Sequence, residues 1–174
     1  TPVFVALDGR AVAVLSVTDQ VKPGAADAIR ALKTQGQVIA LLTGDTQSTG
    51  ASIAQELGID IVHAELLPGD KQTAIQELRK TYGAVAFVGD GINDAPALAQ
   101  ADVGIAMGDG TDVAIEAADI ALIGGEPNGA AKAITLSAGT MRNIRQILFW
   151  DFSYNAALIP VAAGVLYPAF GLLL

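Results

Sequence analysis

Short apolar runs alternate with segments of helical periodicity along most of the chain. Residues 3–7 and 11–17 are apolar runs separated by Asp8-Gly9, a dipeptide that favours the tight turn of a β-hairpin. Later apolar runs predict buried strands of a parallel sheet, at residues 38–42, 59–62, 85–88, 102–107 and 120–123. Apolar residues at helical spacing predict helices between them, at residues 25–33, 47–57, 68–82 and 95–100, and another after residue 112.

This alternation predicts a doubly wound parallel sheet covered by helices on both faces, which is an α/β fold. Asp19, Asp45 and Asp90 each lie just past the end of a predicted strand. The carboxyl ends of parallel strands share one edge of the sheet, and open α/β sheets bind their ligands there. We therefore expect several carboxylates along one edge, with the functional site among them.

The most informative stretch is Val85 to Leu98, V-A-F-V-G-D-G-I-N-D-A-P-A-L. Two glycines flank Asp90, so the backbone is expected to turn sharply where the strand stops. Asn93 or Asp94 is predicted to cap a helix that opens at Ala95-Pro96. Carboxylate and amide oxygens at a strand end suit Mg²⁺. Taken alone, G-D-G fits an ordinary strand-turn-helix junction equally well.

Two further residues, Thr43 and Lys71, are candidates for binding a phosphoryl group. Thr43 lies where a strand ends and a helix begins, so its hydroxyl and the following amides are suited to hold a phosphoryl oxygen. An ordinary turn with Asp45 as helix cap is the alternative. Lys71 falls in the first turn of the helix that begins at Pro68, where the helix dipole disfavours a cation. It is either a surface lysine or a lysine that faces bound phosphate.

Composition narrows the classes of function. The net charge of −8 argues against a nucleic-acid partner, and the absence of cysteine excludes disulfides and thiolate metal sites within this chain. No dinucleotide fingerprint and no G-K-[S/T] phosphate loop occurs. A hydrophobic content of 52% is high for a soluble protein and indicates a membrane portion.

The C-terminal region is the candidate for that portion. Gly129 to Arg145 is predicted to be helical, and Ile147 to Leu166 contains twenty mostly apolar residues, enough to cross a bilayer. A buried core helix is the alternative. The cations before this span predict that its first end is cytoplasmic. Tyr167-Pro168 is expected to break the helix, and Ala169 to Leu174 to begin another apolar segment.

The motifs together resemble P-type ATPases, whose phosphorylation domain belongs to the haloacid-dehalogenase superfamily. The matching segments occur in family order: Asp19-x-x-Lys22-Pro23, Thr43-Gly44-Asp45, Pro68-x-x-Lys71, Val88 to Leu98, Ala101 to Ala106, and Gly110 to Ala114. The resemblance implies a haloacid-dehalogenase-like sheet followed by a transmembrane helix and the start of another. It also implies ATP hydrolysis with Mg²⁺ through an aspartyl-phosphate intermediate.

The family's nucleophile segment, D-K-T-G-T, does not occur in this chain, and neither do its T-G-E segment and nucleotide-binding domain. We therefore expect a C-terminal part of a pump that is inactive in isolation. The expected organisation is residues 1–128 as the C-terminal part of the phosphorylation domain, 129–146 as a linker helix and 147–174 as a membrane segment. The complete protein is expected to be a multi-pass membrane protein with this phosphorylation domain in the cytoplasm.

Residue roles follow from the resemblance. The positions that it implies for catalysis are Thr43, Gly44, Asp45, Lys71, Asn93 and Asp94, of which the first four also bind the cofactor ATP. Asp90 would be the Mg²⁺ ligand, with Asn93 and Asp94 in support. Thr43 and Lys71 would contact the phosphoryl group, and Asp45 would border the nucleotide.

The predicted span adds a resemblance that concerns the cargo. Its string F-x-Y-N-x-x-x-I-P-x-A-A-G-x-L-Y-P is similar to a span of copper-transporting P-type ATPases. This implies that Tyr154 and Asn155 contribute to a site for transported Cu(I), whose soft ligands lie outside this chain. Polar contact between helices is the alternative role. The implied partners are the membrane, ATP, the metal ion and a metallochaperone.

Three other interpretations compete with a copper pump. A zinc, cadmium or silver P-type ATPase would share all the catalytic motifs. A soluble haloacid-dehalogenase-type phosphatase would share the sheet and its acids, but its nucleophile should lie near the start of the domain and no spanning helix should follow. A membrane-anchored regulatory or binding domain would need no chemistry at all.

Overall fold

The computed structural model describes residues 2–16, 20–108, 110–163 and 171, and it divides into two compact units, Thr1–Ala131 and Lys132–Leu174. The strands are β1 (Pro2–Leu7), β2 (Arg10–Ser16), β3 (Ala40–Leu42), β4 (Ile61–His63), β5 (Ala86–Gly89), β6 (Val103–Met107) and β7 (Ile120–Leu122). The helices are α1 (Ala25–Thr34), α2 (Gln47–Leu57), α3 (Pro68–Tyr82), α4 (Ala95–Gln100), α5 (Asp112–Ala117) and α6 (Asn128–Ala162). A 3₁₀ turn, Ile92–Asp94, precedes α4.

The predicted β-hairpin is confirmed. Strands β1 and β2 pair antiparallel, and Leu7 stands opposite Arg10 across a two-residue turn. Asp8 and Gly9 both adopt positive φ, 51° and 78°. This left-handed geometry matches the right-handed twist of the flanking strands, and aspartate and glycine adopt it at low cost.

The other strands are parallel, as predicted, but they form two hydrogen-bonded groups within the described residues. Strand β3 pairs with β4, and β6 lies between β5 and β7. No ladder joins β3 to β5 in this part of the chain, so the prediction of one continuous sheet is not met there. An apolar run indicates burial, but it carries no information about which backbone edge finds a partner strand.

The most deeply buried part of the core lies around β6. Four of its five residues are buried, and Ile105 and Ala106 are almost completely so. Helix α4 covers the strand with Leu98, which is fully buried. At Gly104 a Cβ atom would lie 2.6 Å from the Leu98 carbonyl oxygen, so the close approach of α4 to β6 requires a glycine.

Helix α6 combines segments that the sequence had suggested were separate. It runs without interruption for 35 residues, through the predicted linker helix and into the predicted span. Among the described residues, no helix combines the length and the apolar character that a membrane crossing requires. The end of the predicted span, the break at Tyr167-Pro168 and nearly all of the segment after it lie outside the described residues.

Candidate active site

The end of β5 is shaped by a close contact between Gly89 and Asp94. A Cβ atom on Gly89 would lie 2.8 Å from the Asp94 Cβ, so only glycine leaves room for Asp94. The chain passes Asp90 and enters the 3₁₀ turn, where the Asp94 amide donates to the Gly91 carbonyl oxygen at 3.0 Å. This turn folds Asp94 back towards the strand, while Asn93 stays exposed within it.

Asp94 forms an ion pair with Lys71. Lys71 Nζ donates to Asp94 Oδ1 at 2.6 Å, and the two side chains are only 15% and 13% exposed. Lys71 lies in the first turn of α3, where the helix dipole disfavours its charge, so the carboxylate offsets an unfavourable position. A long-range contact therefore fixes the lysine that the sequence had marked as anomalous.

The same contact corrects the predicted role of Asp94 as a helix cap. Asp94 occupies the N-cap position of α4, but its side chain makes no capping hydrogen bond. Its second oxygen instead accepts a long hydrogen bond, 3.4 Å, from the Gly91 amide. Both oxygens of the Asp94 carboxylate therefore have partners other than the first amides of α4.

Asp90 has a different environment. Its side chain is 57% exposed, and the nearest cation is Lys22, with Nζ 3.8 Å from Oδ2. The described residues contain no cluster of three or more His, Cys, Asp or Glu side chains that could hold a metal ion. Mg²⁺ requires fewer protein ligands, because it binds one or two carboxylates and completes its shell with water and phosphate oxygens. An accessible Asp90 fits that requirement, whereas the Asp94 oxygens already have partners.

Thr43, Gly44 and Asp45 form a separate hydrogen-bonded turn at the end of β3. The Asp45 amide donates to Thr43 Oγ1 at 3.1 Å, and that hydroxyl donates to Asp45 Oδ2 at 3.2 Å. The loop after β4 supports this turn, since the Leu66 amide donates to the Thr43 carbonyl oxygen at 3.1 Å. Asp45 is not the cap of α2, because Thr46 is its N-cap and accepts from the Thr49 amide.

The residues predicted for catalysis and Mg²⁺ binding thus fall into two groups at the ends of β3 and β5. Lys71 and Asp94 are in direct contact, and so are Thr43 and Asp45. In the described part of the chain, no hydrogen bond or ion pair links one group to the other. Sequence reasoning gave Lys22 no role at Asp90, although the motif Asp19-x-x-Lys22-Pro23 was a usable signal; Asp19 itself lies outside the described residues.

An ion pair at the opposite end of β5 joins α3 to the strands. Arg79 donates from Nε to Asp102 Oδ2 at 2.9 Å and from its NH2 nitrogen to Oδ1. The Val85 amide donates to the same carboxylate at 2.9 Å. The hydrogen bond from Arg79 is the main cause that lowers the pKa of Asp102, and it raises the pKa of Arg79.

Tyr154 and Asn155 lie in the second unit, on α6. Both are exposed, Tyr154 by 67%, and both belong to a stretch with many exposed apolar side chains. The exposed large apolar residues of this stretch are Ile147, Leu148, Phe149, Trp150, Phe152, Leu158 and Ile159. The proposed contact of Tyr154 and Asn155 with a transported ion stays a prediction.

The chain is similar along its whole length to proteins named as metal-transporting ATPases. A family model described as haloacid dehalogenase-like hydrolase matches residues 1–102. "Copper-transporting ATPase 2" of Rhizobium meliloti is 56% identical over all 174 residues, and the "Silver exporting P-type ATPase" of Salmonella typhimurium is 51% identical over the same length. The chain spans 21% of the length of each of these relatives.

Solved structures show the same relationship. The crystal structure of a zinc-transporting PIB-type ATPase in its E2.Pi state superposes with a TM-score of 0.83 at 39% identity. The match covers 92% of this chain and 26% of that protein. The resemblance to P-type ATPases that the motifs indicated is therefore confirmed, and so is the haloacid-dehalogenase-like α/β fold.

Proposed function

Since the chain belongs to the haloacid dehalogenase-like hydrolase family, we propose that it supplies catalytic residues to an ATP-driven copper pump of the P-type. The nucleophilic aspartate of that pump lies outside this chain. The proposal is supported by sequence identities of 56% and 54%, over the whole chain, to relatives named as copper-transporting ATPases. The chain spans about a fifth of the length of each. ATP, the metal ion and the membrane are its proposed partners, and a metallochaperone is a further one.

The observation that carries the catalytic part is the Lys71–Asp94 pair beside an accessible Asp90. Asp94 holds the Lys71 ammonium group at 2.6 Å, so the cation has a fixed place near the end of β5. A cation fixed in advance stabilises the negative charge that develops on a transferred phosphoryl group. Asp90 would hold Mg²⁺, which would supply further charge neutralisation at the phosphoryl oxygens.

Thr43 and its neighbours form the second part of the proposed site. The Thr43 hydroxyl and the amides that follow it at the start of α2 are groups that bind phosphate oxygens. The hydroxyl is held by Asp45, and a phosphoryl oxygen would compete for the same donor. Gly44 keeps this turn close to the Leu66 carbonyl oxygen, and Asp45 would border the nucleotide.

The proposed cargo is Cu(I), with Tyr154 and Asn155 as contributors to its path. The C-terminal half of α6, with its exposed apolar side chains, would enter the membrane in the complete protein. Zinc and silver are the main alternatives, because one structural neighbour is named a zinc transporter and one relative a silver exporter. Copper is preferred because relatives named as copper transporters reach 56% identity, against 51% for the silver exporter and 39% for the zinc transporter.

The catalytic part is tested by phosphorylation of the complete protein with radiolabelled ATP. We expect Lys71→Ala to lower phosphoenzyme formation about 100-fold, because it removes the cation that faces the transferred group. Asp90→Asn should impair Mg²⁺-dependent phosphorylation as well. Lys80→Ala on the same helix and Asp27→Asn on α1 are matched controls, since both side chains are exposed. Wild-type phosphorylation in both site variants would overturn the catalytic part.

The cargo is tested separately. The complete protein in vesicles should hydrolyse ATP faster when Cu(I) is added, and Asn155→Ala should weaken this response while leaving phosphorylation from inorganic phosphate intact. Asn143→Ala, also exposed on α6, is the matched control and should behave as wild type. A protein that responds to Zn²⁺ and ignores Cu(I) would refute the copper assignment without affecting the catalytic one.

A further inference from the structure

The loop between β6 and α5 contacts the backbone of Asp90. The Thr111 amide donates a hydrogen bond to the Asp90 carbonyl oxygen at 3.0 Å. A Cβ atom on Gly110 would lie 2.7 Å from the same oxygen and 3.1 Å from the Asp90 Cα. The loop and the strand end therefore lie so close together that residue 110 has no room for a side chain.

The loop is anchored in the core of the protein. The Gly110 amide donates to the Met107 carbonyl oxygen at 2.8 Å, which ties the loop to the end of β6. Thr111 caps α5, because its hydroxyl accepts a hydrogen bond from the Ala114 amide at 3.3 Å. Ala114 is fully buried, so the position of Thr111 is fixed by packed elements on both sides.

Asp90 depends on its backbone for orientation. Its carboxylate is more than half exposed, and its ion pair with Lys22 is long at 3.8 Å. An exposed ion pair of this kind contributes little to the position of a side chain. The hydrogen bond from Thr111 and the contact with Gly110 therefore fix the backbone position from which the Asp90 side chain extends.

We propose that Gly110 and Thr111 are positioning residues that fix Asp90 for the binding of a divalent cation. The inference rests on the proposed function, in which Asp90 is the ligand for Mg²⁺. Groups that orient a metal ligand from behind commonly change metal affinity by about 10–100-fold when they are altered. Gly110 acts by leaving space. Thr111 acts by donating its amide, whose position depends on the capping hydroxyl, so neither residue needs to touch the ion.

The test is made on the complete protein with Gly110→Ala. The added methyl group should push the Asp90 backbone away and raise the Mg²⁺ concentration for half-maximal phosphorylation by about 10–100-fold. The phosphorylation level should recover at saturating Mg²⁺, which damage to the fold would not allow. Gly139→Ala is the matched control, because a Cβ there meets no atom within 4 Å.

A direct binding measurement accompanies the kinetic one. Mn²⁺ is titrated without ATP and its binding is followed by electron paramagnetic resonance, with Asp90→Asn defining the Asp90-dependent part of the signal. Gly110→Ala should weaken that part, and Gly139→Ala should leave it as in the wild type.

A second pair of variants keeps the inference testable if Gly110→Ala does not fold. Thr111→Val removes the hydroxyl that caps α5 and should raise the Mg²⁺ requirement by a smaller factor, whereas Thr111→Ser should restore the wild-type value. If Asp90→Asn raises the requirement while the Gly110 and Thr111 variants do not, positioning is refuted and the proposed function stands. If Asp90→Asn has no effect, the proposed function fails, and this inference fails with it.

Discussion

The α/β unit has two halves, one with β3, β4, α1 and α2 and the other with β5 to β7, α3, α4 and α5. They hold their site residues in different ways. Strands β5 to β7 pack with α4 and α5 around side chains that are almost completely buried, such as Leu98 and Ile105. Strands β3 and β4 are only half-buried at every position, and the buried apolar side chains of α1 and α2 are alanines. The large buried side chains near Asp90 and Asp94 lie on β6 and α4, because β5 itself is partly exposed, for example at Val88.

Strand neighbours set β6 apart from the other parallel strands. It has a partner on each side, whereas β3 and β5 each pair with one strand in the described part of the chain. A strand with one partner leaves one edge without ladder hydrogen bonds and buries less of its surface. What distinguishes the groups at β5 is the mostly buried Lys71–Asp94 pair. The turn at Thr43 depends instead on its own exposed hydrogen bonds and on the bond from the Leu66 amide.

The largest expected effect concerns packing. Leu98→Ala removes a fully buried side chain and should lower the free energy of unfolding by about 2–5 kcal/mol. Leu41→Ala in β3 removes a half-buried side chain and should cost clearly less. Urea denaturation of the two variants measures both values, and equal losses would contradict the difference between the halves.

The next effect concerns the ion pairs of the two halves. A double-mutant cycle on Lys71 and Asp94 should give a coupling energy of about 1–3 kcal/mol, because both side chains are mostly buried. The pair Lys33–Asp60 lies in the other half, and its carboxylate is 86% exposed, so its coupling should be about 0–1 kcal/mol. A stronger coupling for Lys33–Asp60 would reverse the comparison.

Sequence reasoning succeeded where local chemistry decides the structure. The positive φ angles of Asp8 and Gly9 follow from residue type, and the bounds of α2 and α3 agree with prediction because glycines and Pro68 mark their ends. The conflict between Lys71 and the helix dipole was also visible in the sequence. The ion pair with Asp94 that compensates for this conflict was not visible, because Asp94 lies 23 residues away on another element.

One alternative and one prediction fail because the sequence does not specify which hydrogen-bond partner a group finds. The carboxylate of Asp45 was a candidate cap for α2, but it accepts from the Thr43 hydroxyl, and Thr46 caps the helix instead. The division of the parallel strands into two groups depends on backbone edges, which no side-chain pattern encodes. The role of the loop at Gly110 required a distance between atoms of distant segments.

A smaller effect is expected from the cap of α2. Thr46→Ala removes the hydroxyl that accepts from the Thr49 amide and should cost about 1 kcal/mol. Because this half has little buried support, the loss should increase amide hydrogen exchange mainly in α2. Gln47→Ala, an exposed change at the next position, is the control. Uniform acceleration of exchange across β5 to β7 would show that the two halves unfold as one.

The smallest effect is a dependence on pH in the well-packed half. Asp102 accepts hydrogen bonds from Arg79 and from the Val85 amide, and its pKa is lowered in the folded protein from the ordinary value of 3.8. A lowered pKa means that the stabilisation is complete above the ordinary value and is lost as the pH falls through the folded value. The wild type should therefore lose thermal stability on acidification below about pH 4, and Asp102→Asn should reduce the slope of Tm against pH in that range. Asp27→Asn retains Asp102 and serves as the control. An unchanged slope in Asp102→Asn would show that ionisation of Asp102, and with it the Arg79–Asp102 ion pair, adds nothing to the stability of this half.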